Sequence, residues 1–218
     1  MRAVACAVSL TLLISCSSAM ADQPAAPDSP GVAAVAQRFN KLYSGPSNLF
    51  FRATPNAFLA RTVSGLQPGR ALDVAMGQGR NSVFLAKQGW DVTGYDIADT
   101  GLEEARGAAE KEGTRIKAVH ASHDDFDFGR EQWDLIVMTY TLADMENAAL
   151  LRRIKDSLKP GGIVVVEQMN AGGTGKGPAN ALLRSFQELR VIHYEDVIDT
   201  AEWGLQKMRI GRIVAQKD

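Results

Sequence analysis

From residue 64 onward the chain alternates between short apolar runs and longer amphipathic stretches. RALDVA (70–75), DVTGYD (91–96), RIKAVHA (115–121), WDLIVMT (133–139) and GGIVVVEQ (161–168) are rich in β-branched and apolar residues and read as strands. Between them NSVFLAKQG (81–89), TGLEEARGAAEKEG (100–113) and NAALLRRIKDSL (147–158) read as helices. Such alternation predicts a parallel sheet with helices on both faces, and the nearly continuous runs LIVMT and IVVVE suit its central strands. After a glycine-rich loop (171–178) come a short helix, ANALLRSF (179–186), a strand, LRVIHYED (189–196), and a last strand, KMRIGRIVAQK (207–217). The link TAEWGLQ (200–206) is too short for a crossover helix, so the last strand is expected to run antiparallel. The predicted class is α/β, a doubly wound, seven-stranded, mostly parallel sheet. Ahead of it VAAVAQRFNKLY (32–43) and PNAFLARTV (55–63), joined by SGPSN, predict an N-terminal helical cap over residues 32–63 of a domain spanning 32–218.

The first 31 residues differ in kind. Arg2, the apolar run from Ala3 to Ile14 and the small residues ending Ala19-Met20-Ala21 form a signal-peptide pattern over residues 1–21, followed by a Pro/Ala/Asp linker at 22–31. Export to a periplasmic or extracellular space is the expectation. Leu13-Ile14-Ser15-Cys16 also resembles a lipobox, so membrane attachment is expected only if Cys16 is lipidated; a misassigned start would instead leave the protein cytoplasmic. Both cysteines, Cys6 and Cys16, lie in this segment. The body is therefore cysteine-free, and a disulfide-built mini-domain is excluded.

The 218 residues, 45% hydrophobic and 22% charged, fit a single domain with a sizeable core. A net charge of −1 offers no global positive field, so no nucleic-acid partner is expected. His120, His123 and His193 show no metal-ligand spacing, and no metal is expected.

The candidate chemistry lies in Ala71-Leu72-Asp73-Val74-Ala75-Met76-Gly77-Gln78-Gly79-Arg80-Asn81, a strand ending in a glycine turn that opens a helix. A dinucleotide fingerprint needs G-x-G-x-x-G, but Ala75 and Arg80 stand at its first and third glycines, which disfavours a dehydrogenase. The second strand ends in Asp96, where a carboxylate can accept hydrogen bonds from both ribose hydroxyls.

At these residues the chain resembles the class I S-adenosylmethionine-dependent methyltransferases. LDVAMGQGRNSVFLAKQGWDVTGYDI is similar to the small-molecule branch that includes tellurite-resistance-type and thiopurine-type enzymes, and LKPGG (158–162) extends the likeness. The resemblance implies strand order 3-2-1-4-5-7-6, S-adenosyl-L-methionine as cofactor, and binding by Asp73, Ala75, Met76, Gly77, Gly79, Asn81, Asp96, Ile97 and Tyr140. Two departures stand out. Ala75 occupies a position usually held by glycine, and Ser122 one often held by an acid that meets the adenine edge, with His123, Asp124 or Asp125 as substitutes.

Methyl transfer needs an aligned nucleophile more than a dedicated acid or base, so no catalytic residue is assigned. TYTLAD after the fourth strand is not the Asn/Asp-Pro-Pro-aromatic motif of base-flipping enzymes, which with the neutral charge points to a small-molecule acceptor. Phe50, Phe51, Arg52, Asn56 and Phe58 are the expected lining of the cap, with Arg52, Asn56 and Tyr140 as substrate contacts. A monomer or weak homodimer is expected. The alternative reading is an exported, non-catalytic nucleoside-binding module on the same scaffold.

Overall fold

The computed structural model describes residues 31–45, 54–141, 143–169, 180–202 and 205–218. The expected leader (1–21), nearly all of the linker, and Phe50, Phe51 and Arg52 lie outside the described residues.

Among the described residues thirteen elements follow one another: α1 (Val32–Ser44), α2 (Ala57–Val63), β1 (Arg70–Val74), α3 (Arg80–Lys87), β2 (Asp91–Asp96), α4 (Asp99–Lys111), β3 (Lys117–His120), β4 (Trp133–Thr139), α5 (Ala148–Ser157), β5 (Leu158–Met169), α6 (Ala181–Ser185), β6 (Arg190–Thr200) and β7 (Lys207–Gln216). The seven strands form one sheet in the order β3-β2-β1-β4-β5-β7-β6, the order the resemblance implies. β7 runs antiparallel to both β5 and β6; the pairs from β3 to β5 are parallel. β5 and β6 are longer than their apolar runs: β7 pairs with β5 as far as Met169 and with β6 from Arg190 to Thr200, and Leu158 at the start of β5 pairs with Trp133 of β4.

Period-two alternation sorts the core to two faces. Leu72, Val74, Ile136, Met138, Val164 and Val166 face α5 and α6, with Leu151, Ile154 and Phe186 packed on them. Ala71, Leu135, Val137, Ile163 and Val165 face the other way, against Phe58, Leu59 and Val63 of α2 and Leu85 of α3. α2 is thus a core helix on this face. Of the expected 32–63 cap, Phe58 and Asn56 are drawn inward, because a seven-residue helix with Phe58, Leu59 and Val63 on one side gains most by burying that side.

Register brings the carboxyl ends of the central strands level. Val74 pairs with Tyr95 on one side and Met138 on the other, so the residues after β1, β2 and β4 emerge along one edge. That edge is also where the chain order reverses, since β1 is flanked by β2 and β4, and such switch points open crevices in α/β sheets.

Ile136, fully buried in central β4, tests this packing. Ile136→Ala is expected to lower unfolding free energy by about 2–5 kcal/mol in urea titration.

Candidate cofactor and acceptor site

The crevice holds a cavity of about 350 Å³, bordered by Val32, Val35, Phe39 and Tyr43 of α1, by Ala75, Tyr95, Asp96 and Ile97, by Ala121 to Asp124, and by Tyr140 and Thr141. Its parts come from five segments that meet only at the sheet edge.

The turn after β1 is shaped by backbone geometry. Gly77 (φ +53°) and Gly79 (φ +78°) adopt left-handed conformations that favour glycine. A side chain on Gly77 would lie 2.8 Å from the Tyr43 hydroxyl oxygen, and one on Gly79 would lie 2.7 Å from Cβ of Ala105. The turn is therefore gripped between α1 and α4. Gly79 then caps α3.

Asp96 ties this turn to the end of β2. Its Oδ2 accepts from the Gly77 N–H at 2.8 Å and its Oδ1 from the Ala98 N–H at 2.9 Å. Burial pushes its pKa up, opposed by the N–H groups of Ala98, Gly77 and Ile97. Three N–H groups do not use all four lone pairs of the carboxylate, so it keeps acceptor capacity toward a ligand in the cavity.

Asp73 lies elsewhere. On β1 it shares the face of Ala71 and meets α3, where its Oδ2 accepts from the Ser82 hydroxyl at 2.7 Å. Burial raises its pKa from 3.8 to about 6. Met76 is buried with Leu102 and Ala105 beneath the turn, and its N–H donates to Tyr95 O. Asn81 joins segments behind the cavity: its Oδ1 accepts from the Asn56 N–H (2.8 Å) and its Nδ2 donates to Thr139 Oγ1 (2.8 Å). Asn56 is fully buried; its Oδ1 caps α2 and its Nδ2 donates to Glu167 Oε1 at 2.6 Å. Of the expected residues, Ala75, Asp96, Ile97 and Tyr140 border the cavity directly. Asp73, Met76, Gly77, Gly79, Asn81 and Asn56 support it from behind.

Around the third-strand loop, Ser122, His123 and Asp124 border the cavity, whereas Asp125 turns back to accept from the Ser122 hydroxyl at 2.6 Å. His123 Nδ1 meets the Tyr95 hydroxyl at 2.8 Å, and burial lowers its pKa, which keeps the ring neutral at pH 7. Arg153 of α5 donates to the carbonyls of His123, Asp124 and Phe126, which fixes the loop.

Sequence reasoning missed two groups. The first is the α1 stripe of Val32, Val35, Phe39 and Tyr43, which a helical period in VAAVAQRFNKLY could have revealed. The second is a polar row behind Tyr140. Thr139, Glu167, Arg212 and Glu195 are direct cross-strand neighbours on β4, β5, β7 and β6. Arg212 donates to Glu167 (2.5 Å), Glu195 (2.9 Å) and Asp199 (2.7 Å). Glu202 adds a latch, accepting from Arg80 Nη1 and from the Ala57 N–H, both at 2.8 Å.

Residues 71–162 match the family model described as a methyltransferase domain. Over that span the chain is similar to methyltransferase domains. The ubiquinone biosynthesis O-methyltransferase of Shewanella pealeana is 30% identical over 115 residues, 52% of this chain and 49% of its own length. The chain spans about half the length of the curated relatives it matches. Among solved structures, the 1,6-didemethyltoxoflavin-N1-methyltransferase of Burkholderia thailandensis aligns with a TM-score of 0.69 at 19% identity, covering 88% of this chain and 92% of that one. TehB from Haemophilus influenzae aligns at 0.64 and 20% identity, covering 84% and 67%. At such identities these structures speak for the methyltransferase fold alone.

Within this domain the Ala75 departure acquires a physical meaning. Its φ is +51°, the region where an L-residue costs roughly 1–2 kcal/mol relative to glycine. Alanine is tolerated there, but a β-branched side chain would not be. Ala75→Val is expected to be more than about 2 kcal/mol less stable than Ala75→Gly in denaturant unfolding.

A second prediction concerns Asp73. Its proton is held more tightly in the folded state, so its contribution to stability is full below pH 3.8 and is lost as pH rises through about 6. Asp73→Asn keeps an acceptor for Ser82 and removes that titration. Its stability relative to the parent should rise between pH 4 and pH 7 by up to about 3 kcal/mol, read from urea unfolding across that range.

Proposed function

We propose that this chain transfers the methyl group of S-adenosyl-L-methionine to a small-molecule acceptor. The observation that carries the reading is Asp96: a buried carboxylate at the end of β2 that borders the cavity and is fixed by backbone N–H groups. Its remaining acceptor capacity suits ribose hydroxyls. Ser122, His123 and Asp124 suit the base, and Ala75 and Ile97 offer close backbone approach along the nucleoside. When bound, the cofactor supplies an electrophilic methyl on a sulfonium. The chain's task is then to exclude water and align the acceptor, which α1 and the ends of β1 and β4 are placed to do.

Val32, Val35, Phe39, Tyr43 and Tyr140 give the cavity an apolar and aromatic border, which suits an apolar, ring-bearing acceptor. Curated relatives named for ubiquinone biosynthesis and demethylmenaquinone methylation support that direction. The net charge of −1 supports a small molecule over nucleic acid. Residues 1–21 support export as the place of action.

Calorimetric titration of the full chain with S-adenosylhomocysteine tests the reading. Saturable binding is expected, and the absence of binding in the millimolar range would overturn it. Asp96→Ala, with folding checked by thermal melting, is expected to weaken binding by about ten- to hundred-fold, the worth of charge-assisted hydrogen bonds.

A further inference from the structure

We propose that Tyr140 serves this site through its ring, as a face for the cofactor's sulfonium cation, with Glu167 and Glu202 as positioning residues that hold its hydroxyl away from the cavity. The proposal rests on the reading of the cavity as an S-adenosylmethionine site.

Tyr140 leaves β4 with φ +54°, an uncommon conformation for a bulky residue, and three contacts enforce it. Its N–H donates to Glu167 O at 2.8 Å. Its hydroxyl donates to Glu167 Oε1 at 2.7 Å and accepts from the Glu202 N–H at 3.0 Å. Neither glutamate borders the cavity, whereas Tyr140 does. The hydroxyl therefore points out of the cavity and the ring is the part that borders it. Both anchors are themselves fixed. Glu167, 1% exposed, is held by Asn56 and Arg212; Glu202 is held by Arg80 and the Ala57 N–H.

Two consequences follow for the ring. Its hydroxyl proton is committed to a buried carboxylate, so the phenol is a poor proton carrier; burial and Glu167 both raise its pKa, which agrees. Donating to an anion also pushes electron density into the ring and makes its face more attractive to a cation. The Asp96 carboxylate borders the same cavity and adds a negative group that favours a cationic ligand there.

S-adenosylmethionine and S-adenosylhomocysteine differ in one methyl and its positive charge, so their relative affinity reads the proposal without any acceptor. Both ligands are titrated calorimetrically into the full-length parent and into Tyr140→Phe, Tyr140→Leu, Glu202→Ala and Glu202→Gln. Tyr140→Leu is expected to weaken the cationic ligand about three- to ten-fold more than the neutral one, and Tyr140→Phe to change their ratio less than about two-fold. Glu202→Ala should weaken the cationic ligand selectively, and Glu202→Gln, which keeps an acceptor for Arg80 and Ala57, should restore it. Equal weakening of both ligands in Tyr140→Leu overturns the proposal, as does a Tyr140→Phe that behaves like Tyr140→Leu. If Tyr140→Leu fails to fold, a Glu202→Ala effect equal for both ligands, or unrescued by Glu202→Gln, overturns it. A parent that binds neither ligand overturns the cofactor reading itself, whereas binding by the parent with no selective loss in the variants overturns this proposal alone.

Discussion

A carboxylate that folding takes almost wholly out of water has to be met by donors, and Glu167 organises one end of this molecule by that requirement. Its two oxygens receive Asn56 from the entry to α2, Tyr140 from the exit of β4 and Arg212 from β7. Removing one partner of such a buried pair typically costs about 3–5 kcal/mol, because the other charge is left uncompensated. The docking of α2, the end of β4 and the pairing of β5 with β7 are thus mutually dependent. Arg212 widens the unit by reaching Glu195 and Asp199 on β6. The antiparallel end of the sheet, remote in sequence from the glycine turn, is in this way tied to Tyr140 at the cavity edge.

The opposite wall depends on a lighter tie. Asp96 accepts from Gly77, so the end of β2 fixes the turn after β1, and Tyr43 of α1 rests against the same glycine. α1 is held in turn by Asn40, whose Oδ1 accepts from the Thr100 N–H at the start of α4. Here one carboxylate does two things: it shapes the turn and keeps acceptor capacity toward the cavity. Binding and local folding are coupled at that residue, whereas at Glu167 the carboxylate is spent on structure.

The contrast explains what could be read from residues alone. The strands and the sheet edge were legible because period-two apolar runs and a glycine turn are local patterns, and Asp96 stands at the end of one such run; the order of the strands came from the family resemblance. Asp73 was legible as an acidic strand residue, but its parity with Ala71 sends it to α3. Glu167 and Arg212 were not legible. They sit 45 positions apart and become neighbours only through the β5–β7 register, so no spacing announces them. Asn56 looked like a lining residue because it is polar and precedes a helix; a cap that also bridges to Glu167 has the same sequence signature.

Ala75 and Tyr140 share a property that joins these observations. They follow adjacent parallel strands at the switch point, and both non-glycine residues have positive φ. A chain continuing in extended conformation from β1 and β4 would carry both segments straight past the sheet edge. Left-handed turns at both exits bend the two segments aside, and the space between them is the crevice. The strain is small at Ala75, where only a methyl group is involved. At Tyr140 it is larger, and there the structure supplies the Glu167 and Glu202 contacts that hold the residue in place. The heavier anchoring therefore falls on the side of the cavity where a bulky ring, rather than a small turn residue, is required by what the cavity must hold.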